Sequence, residues 1–257
     1  MLSSKTQQQS FLERFRKRGV PPNLALVFDL SIRLNVNELK KFRGTVLTQS
    51  NDSQETFYRI LIEQVSIGLK SYINRFDYIF KRSKVSLGWI INYNTENRVE
   101  LIDSFSLFQP LIKGVNYTGF DLLMPFTHWK NYEYQGCEGR GNSLLQVFTM
   151  LVPQNSQSPY DKVNMYVNNK SLILYKADFI AKEKTCKRVR VNGLKKAGKH
   201  YFIKDINIFD YTSNPKQTIK FTIRKIAFDQ NFDPLIFVTE SPQAFPDTSS
   251  INYHSMD

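Results

Sequence analysis

The chain has 257 residues, of which 41% are hydrophobic and 14% are aromatic, and Lys plus Arg outnumber Asp plus Glu by 35 to 23. This composition excludes a disordered or collagen-like chain, and the length suits one large β domain or two small ones. The net charge of +12 favours an anionic partner, such as nucleic acid, an acidic membrane surface or an acidic protein, although a solvated basic surface explains it equally well.

Cysteine usage and hydropathy do not decide the cellular compartment of the protein. Cys137 and Cys186 are the only cysteines, which leaves their pairing open. No run of about 18 apolar residues is present to span a bilayer. The first ten residues lack the apolar core of a signal peptide, so the sequence leaves open a cytoplasmic protein and an exported one whose signal has been removed.

Two helices are predicted at the N-terminus. Residues 6–18 place Phe11 and Phe15 on one helical stripe, and a Gly/Pro-rich stretch follows. Residues 23–34 indicate a second, more apolar helix with Asn23 as its N-cap. We therefore expect residues 1–35 to form N-terminal helices that pack on a sheet.

From residue 36 onward the pattern favours β-strands separated by short turns, which predicts antiparallel neighbours. The predicted strands cover residues 36–48, 56–65, 68–80, 85–93, 99–108, 132–136, 143–152, 160–167, 171–180, 184–191, 201–211 and 217–227. Several are apolar on both faces, so the sheet needs a cover on each side. We predict one curved sheet of roughly 9–11 strands over residues 36–240, and a polar, frayed tail over 241–257.

The segment 119–129, here called the flap, interrupts the strands. Its apolar residues have helical spacing: Phe120, Leu122, Leu123, Phe126 and Trp129. Pro125 predicts that any helix is short and ends near Met124. A short apolar helix before long antiparallel strands indicates a cover over the sheet, and a helix packed permanently in the core is the alternative.

Residues 182–200 contain eight Lys or Arg residues against one acid, Glu183. A contact with phosphates of lipid or nucleic acid is one interpretation, and a solvated outer face is the other. Nucleic acid has the weaker support, because exposed aromatics do not alternate with these charges. The residues predicted to contact an anionic surface are Lys187, Arg188, Arg190, Lys195, Lys196 and Lys199.

Signatures of catalysis and metal binding are missing from the sequence. The three histidines are isolated from any nucleophile or carboxylate pair in sequence, and no P-loop, GxGxxG, HExxH, GxSxG or EF-hand motif occurs. The sequence therefore predicts no enzyme activity, no cofactor and no metal.

Several stretches carry a family likeness: Phe42-Arg43-Gly44-Thr45-Val46, the flap, Tyr134-Gln135-Gly136 with Val147-Phe148, and residues 160–167, 201–208 and 232–234. Through them, residues 42–237 resemble the LolA-like group of outer-membrane lipoprotein-sorting proteins. Two positions depart from the family pattern: Asn142 stands where a turn glycine is expected, and Leu145 where relatives often carry Cys. The resemblance implies a mainly β protein with α elements, in which a curved antiparallel sheet forms an incomplete β-barrel with helices in its concave face.

The resemblance also implies a function without chemistry: a periplasmic, monomeric carrier that holds acyl chains or lipoprotein anchors and takes part in lipoprotein sorting. Its export signal would not be part of this sequence. A curved sheet with an apolar inner face and a movable cover suits alkyl chains, because each buried CH₂ contributes roughly 0.8 kcal/mol. Trp89, Ile91 and Phe148 are the inward residues expected to face the flap. The predicted ligand-binding residues are Trp89, Ile91, Phe120, Leu122, Leu123, Phe126, Trp129 and Phe148.

Two alternatives remain open from the residues alone. One is a sensor or protein-interaction module on the same fold, which would bind a partner protein through its basic face. The other, with less support, is a basic nucleic-acid-binding protein.

Overall fold

The computed structural model describes residues 2–18, 23–35, 38–51, 55–65, 75–82, 87–92, 98–102, 106–140, 143–154, 158–197, 200–240 and 243–256. The helices are α1 (Lys5–Arg18), α2 (Gly119–Leu123) and three 3₁₀ helices at Ser106–Phe108, Pro125–His128 and Pro234–Phe237. The strands are β1 (Ala25–Arg33), β2 (Leu39–Ser50), β3 (Thr56–Gln64), β4 (Arg75–Arg82), β5 (Leu87–Asn92), β6 (Arg98–Ile102), β7 (Pro110–Ile112), β8 (Val115–Thr118), β9 (Tyr132–Arg140), β10 (Ser143–Leu151), β11 (Lys162–Asn168), β12 (Leu174–Ala181), β13 (Lys184–Ala197), β14 (His200–Asp210), β15 (Gln217–Ala227) and β16 (His254–Ser255).

The described strands form one curved antiparallel sheet of 14 strands and a separate β7–β8 hairpin. β1 lies at the centre, between β2 and β15. On one side of it the chain continues from β2 to β6, the first wing, and on the other the order runs from β15 back to β9, the second wing. β6 and β9 do not pair in the described part of the chain, so the sheet stays open. This confirms the predicted incomplete barrel, although with more strands than expected.

The predicted second helix is wrong, because residues 25–33 form the central strand β1. Phe28, Leu30 and Ile32 alternate onto the face that α1 covers, which we call the concave face. Ala25 packs on the opposite, convex face. Val27, on the convex face, lies three residues from both Leu24 and Leu30, so the sequence also contains the 3–4 spacing of a helix.

The predicted first helix is confirmed as α1, which packs on the concave face of the second wing. Phe11 and Leu12 are fully buried. The ring of Phe11 stacks on that of Phe148 in β10, with centroids 5.8 Å apart. This apolar stripe, rather than intrinsic helix propensity, holds the helix in place.

Residues 106–131, here called the crossing segment, connect the edge of the first wing to the edge of the second. They lie across the concave face and contact successive strands. The hydroxyl of Tyr78 in β4 donates to the carbonyl of Leu111. The amide of Gln217 in β15 donates to the carbonyl of Gly114, at 3.1 Å. The flap is the second half of this segment.

The C-terminal residues cover the convex face, which corrects the expectation of a frayed tail over residues 241–257. Phe245, Ile251 and Tyr253 pack against the convex cluster that includes Ala25. β16 pairs with β15, and Met256 is buried at the concave side, against Ile223 and Ile226. Arg59 in β3 donates to the carbonyls of Ile236, at 2.7 Å, and Gln243, at 2.6 Å. These contacts are long-range, so the polar composition of residues 243–256 did not reveal them. The domain boundaries at residues 36 and 240 stay a prediction.

Candidate functional site

The flap begins with a capping box. The hydroxyl of Thr118 accepts a hydrogen bond from the backbone N–H of Asp121, and the Asp121 carboxylate accepts one from the backbone N–H of Thr118. α2 ends at Met124, whose φ of 46° lies in the left-handed region. Pro125 follows as the first residue of the 3₁₀ helix and disfavours the helical conformation of its predecessor. The predicted break near Met124 is confirmed.

One side of the flap packs firmly into the core. Phe120 and Phe126 are buried, and both rings meet Phe179 of β12 edge to face, at centroid distances of 6.1 and 5.4 Å. Phe120 also lies 4.8 Å from Phe108 and 5.8 Å from Tyr160. Burial raises the pKa of Tyr160, and the nearby Asp121 carboxylate adds to this effect. This aromatic cluster joins the flap to the second wing.

A buried ion pair attaches the start of the flap to β13. The Nζ of Lys187 lies 2.7 Å from Oδ2 of Asp121 and 3.1 Å from the carbonyl of Asn116. Lys187 is cross-strand partner to Phe179, so its side chain points to the concave face, under the flap. This corrects the prediction that Lys187 contacts an anionic surface. The Oδ1 atom of Asp121 is buried and has no hydrogen-bond partner.

Asp210 of β14 forms a second polar contact with the crossing segment. Its carboxylate accepts hydrogen bonds from the side chain of Asn116, at 2.8 Å, and from Thr212 and Ser213. Burial alone would raise the pKa of Asp210, but the hydrogen bonds from Ser213, Thr212 and Asn116 outweigh it and lower the pKa. The carboxylate is therefore charged at neutral pH and orients Asn116.

Arg16 of α1 holds the other end of the flap. Its Nε donates to the carbonyl of Thr127 and its Nη2 to the carbonyl of Trp129, both at 2.8 Å. Burial lowers the pKa of this guanidinium, which nevertheless stays protonated. The flap is thus fixed by Lys187 at its start and by Arg16 at its end.

Between the flap, α1 and the sheet lies a cavity of about 560 Å³. Most of its lining is apolar, and the polar side chains are confined to Arg16, Tyr58, Thr127, His128 and Tyr201. The apolar lining consists of Phe15, Leu24, Leu26, Leu122, Leu123, Met124, Leu172, Ile173, Leu174, Phe202, Ile203, Ile206, Ile223 and Ile226. The cavity is therefore suited to an alkyl or aromatic group.

The structure separates the flap residues predicted from sequence into two sets. Leu122 and Leu123 line the cavity. Phe120, Phe126 and Trp129 belong to the packed side, where the ring of Trp129 lies 6.1 Å from that of Phe120. Phe148 lies on the concave face, as expected, but α1 covers it rather than the flap.

Trp89 and Ile91 do not face the flap, which corrects that expectation. Trp89 lies beside Phe57 and Phe237 in a convex cleft. Ile91, two residues along the same strand, shares this face and pairs with Asp77. Their neighbour Ile90 is the residue of β5 that packs against the concave core.

Sequence reasoning missed most of the cavity lining. Phe15 was placed on a helical stripe, and Ile203, Ile206 and Ile223 were placed in strands, without a link to the flap. The signal that could have found them is the apolar alternation of β14 and β15 on the face that also carries Ile208 and Ile219. Which face of a strand is concave depends on the pairing of β1 with β15, and the sequence does not show it.

The other predicted surface cations have different surroundings. Arg188 binds the carboxylate of Asp178 on the convex face, through both Nε and Nη2. Arg190 and Lys196 are exposed, and Lys195 is half-buried. Lys199 lies outside the described residues.

Within the described ranges, no group of three or more His, Cys, Asp or Glu side chains is arranged to hold a metal ion. None of the helices in the same ranges is long and apolar enough to cross a membrane.

Three solved structures share this fold at low sequence identity. A DUF1329 family protein from Desulfovibrio piger ATCC 29098 aligns with a TM-score of 0.74 and 13% identity, over 91% of this chain and 97% of its own. A domain described as an outer membrane lipoprotein-sorting protein, from Vibrio parahaemolyticus, aligns with a TM-score of 0.70 and 11% identity, over 89% and 94%. A LolA superfamily protein from Nitrosomonas europaea aligns with a TM-score of 0.65 and 15% identity, over 90% and 97%.

The family model that matches this chain is described as an uncharacterized protein and spans residues 117–241, which include the flap and the second wing. No curated protein matches the chain in sequence.

Proposed function

We propose, from the premise that this chain has the LolA-like fold, that it is a non-enzymatic carrier that holds an acyl chain of a lipid or lipoprotein in the cavity under the flap. The observation that carries the proposal is the cavity itself, which is apolar, lies on the concave face and is closed on one side by Leu122, Leu123 and Met124.

The size of the cavity supports a ligand of this class. A volume of about 560 Å³ falls within the range of roughly 300–1,000 Å³ typical of small-molecule sites. Ten methylenes buried there would contribute a gross gain of about 8 kcal/mol, which exceeds the lower estimate of about 4 kcal/mol for the cost of association. The net gain is moderate, which suits both loading and release.

The convex face offers a cleft of similar volume, about 640 Å³, but of different chemistry. Asp29 lies in it between Arg43 and Arg224, with an Oδ1–Nε distance of 3.2 Å and an Oδ2–Nε distance of 2.8 Å. An alkyl chain placed there would desolvate charged groups and gain little apolar contact. The acyl site is therefore assigned to the concave cavity.

The fold relatives suggest where such a carrier would act. Two of them are described as a LolA superfamily protein and an outer membrane lipoprotein-sorting protein domain. We place this chain in the periplasm by the same analogy, as a monomer that takes part in outer-membrane lipoprotein sorting without catalysis.

The test is binding of a fluorescent fatty acid in detergent-free buffer, with native mass spectrometry of the protein from a lipid-rich host. The wild type is expected to bind at micromolar concentration and to carry copurified lipid. Ile206→Trp fills the cavity and should weaken binding by at least about tenfold. Leu101→Trp, on the exposed surface of β6, is the matched control and should bind like the wild type.

The proposal is wrong if the wild type takes up no fatty acid and carries no lipid. It is also wrong if Ile206→Trp and Leu101→Trp bind equally well, since the ligand would then lie outside the cavity. Circular dichroism of both variants establishes that each has folded.

A further inference from the structure

The hairpin formed by β13 and β14 extends beyond the sheet. The pairing of β12 with β13 ends at Lys176↔Arg190, and that of β14 with β15 ends at Asp205↔Thr222. β13 and β14 continue to pair with each other as far as Ala197↔His200. Residues 192–197 and 200–204, here called the hairpin tip, therefore have no flanking strand on either side in the described part of the chain.

The hairpin tip carries apolar side chains in the open. Leu194 is 47% exposed and Tyr201 is 57% exposed. Transfer of such apolar groups out of water is favourable. An aromatic ring with a hydroxyl suits an interface between an apolar phase and water.

The charge of the hairpin tip has one sign. Its described residues, 192–197 and 200–204, contain three lysines, Lys195, Lys196 and Lys204, and no Asp or Glu. Lysines next to exposed apolar groups match an anionic lipid surface, where the apolar groups enter the headgroup region and the ammonium groups meet lipid phosphates.

The inner side of the same tip lines the cavity. Tyr201, Phe202 and Ile203 all contribute to its wall, opposite Leu122 and Met124 of the flap. A continuous apolar path therefore leads from the exposed tip to the cavity. An acidic protein partner would account for the lysines but not for this continuity.

We propose that the hairpin tip docks on an anionic lipid bilayer and places the mouth of the cavity at the membrane surface. An acyl chain then passes between bilayer and cavity along Tyr201, Phe202 and Ile203 without crossing water. The transfer step rests on the proposed function, whereas the docking does not.

The docking is tested by cosedimentation of the protein with phosphatidylcholine vesicles, with and without phosphatidylglycerol, at low and at physiological salt. The wild type should bind only the anionic vesicles, and more strongly at low salt. Leu194→Asp and the double variant Lys195→Glu/Lys196→Glu should each weaken binding by at least about tenfold.

Two matched controls make the same chemical changes elsewhere. Leu101→Asp places a carboxylate at another exposed leucine, on β6. Lys182→Glu/Lys184→Glu reverses two exposed lysines at the start of β13 and in the turn before it, far from the tip. Each control should change vesicle binding by less than about twofold. Equal losses in the controls would overturn the proposal, because the attraction would then come from the net charge of the whole protein.

The transfer step is measured as the rate at which a fluorescent fatty acid moves from anionic vesicles to the protein. Leu194 does not line the cavity, so Leu194→Asp should bind soluble fatty acid like the wild type and accept it from vesicles about tenfold more slowly. Retained soluble binding also shows that the variant has folded.

The two proposals fail in different ways. Vesicle binding without fatty-acid binding overturns the carrier function and leaves the docking in place. Fatty-acid binding without vesicle binding, or tip variants that bind vesicles like the wild type, overturns the docking. If the protein binds fatty acid but no vesicles, the lysines of the hairpin tip fit an acidic protein partner instead.

Discussion

Among the described residues, a fully buried ion pair lies on each face of the sheet, and the two pairs are built differently. On the convex face, the Arg59 guanidinium contacts both oxygens of Asp77, at 3.2 and 2.8 Å, and two backbone carbonyls of the C-terminal region. On the concave face, the Lys187 ammonium contacts one oxygen of Asp121, and the other oxygen has no partner.

This difference indicates that the two faces have different tasks. A planar guanidinium that binds a carboxylate through two parallel bonds fixes both distance and orientation, whereas an ammonium acts as a point charge. The convex pair therefore joins the C-terminal region to the sheet as a permanent layer. The concave pair holds the start of the flap through a contact that fixes distance but not orientation.

The largest expected effect is at the convex pair. Arg59→Met leaves the Asp77 carboxylate buried without its counter-charge and should lower the free energy of unfolding by about 4 kcal/mol. Urea denaturation measures the loss. Arg43→Met, at an exposed pair with Asp29, is the control and should cost less than about 1 kcal/mol. A loss below about 2 kcal/mol for Arg59→Met would show that the convex layer is held mainly by its apolar contacts.

Lys187→Met breaks the concave pair and is expected to cost about 3 kcal/mol, less than the convex change, because Asp121 keeps its hydrogen bonds from Thr118. The effect that distinguishes this variant is local. Relative to the wild type, hydrogen exchange should become faster at the flap amides and change less at the amides of β13. Lys184→Met, on the exposed turn side of the same strand, is the control. A uniform increase in exchange across the whole sheet would contradict a specific role at the flap.

Arg16→Gln tests the other end of the flap. It removes two charge-assisted hydrogen bonds to backbone carbonyls and should cost about 2 kcal/mol. Exchange should increase near residues 127–131, with fatty-acid release faster than in the wild type. Arg14→Gln, at an exposed arginine two residues earlier and on the opposite side of α1, is the control. Unchanged release in Arg16→Gln would mean that the Arg16 contacts do not limit release of the ligand.

The smallest effect concerns pH. The pKa of Asp210 is lower in the folded than in the unfolded protein, so its contribution to stability is complete above the unfolded value of about 3.9 and is lost as pH falls through the folded value. Asp210→Asn should therefore lower stability by about 1 kcal/mol at neutral pH, with the difference from wild type shrinking at acidic pH. Thermal unfolding between neutral and acidic pH measures it, and a difference that grows on acidification would contradict it.

The strands were predictable from sequence because their turns and apolar alternation are local. β1 was not, since Val27 on its convex face and the leucines around it imitate helical spacing. The same ambiguity placed Trp89 on the wrong face: β5 carries apolar residues at both 89 and 90, and alternation alone does not tell which is concave.

The candidate site was predictable only at the flap itself. Lys187 belongs to a basic run, and its counter-charge Asp121 is 66 residues away, so its burial depends on the register between β12 and β13. The position of the lining residues from β14 and β15 likewise depends on the pairing of β1 with β15. Contacts of this range follow from topology, which residue spacing does not show.

The crossing segment joins the edge strands β6 and β9 across the open side of the curved sheet. Its length therefore limits how far apart these two edges lie, and so limits the curvature of the sheet. A ligand that lifts the flap must either lengthen the segment, by unwinding α2 and the 3₁₀ helix, or draw β6 and β9 together and bend the sheet more tightly. In the first case the separation of β6 and β9 is unchanged, whereas in the second it decreases. Spin labels on β6 and β9 would therefore distinguish the two responses at a distance from the ligand.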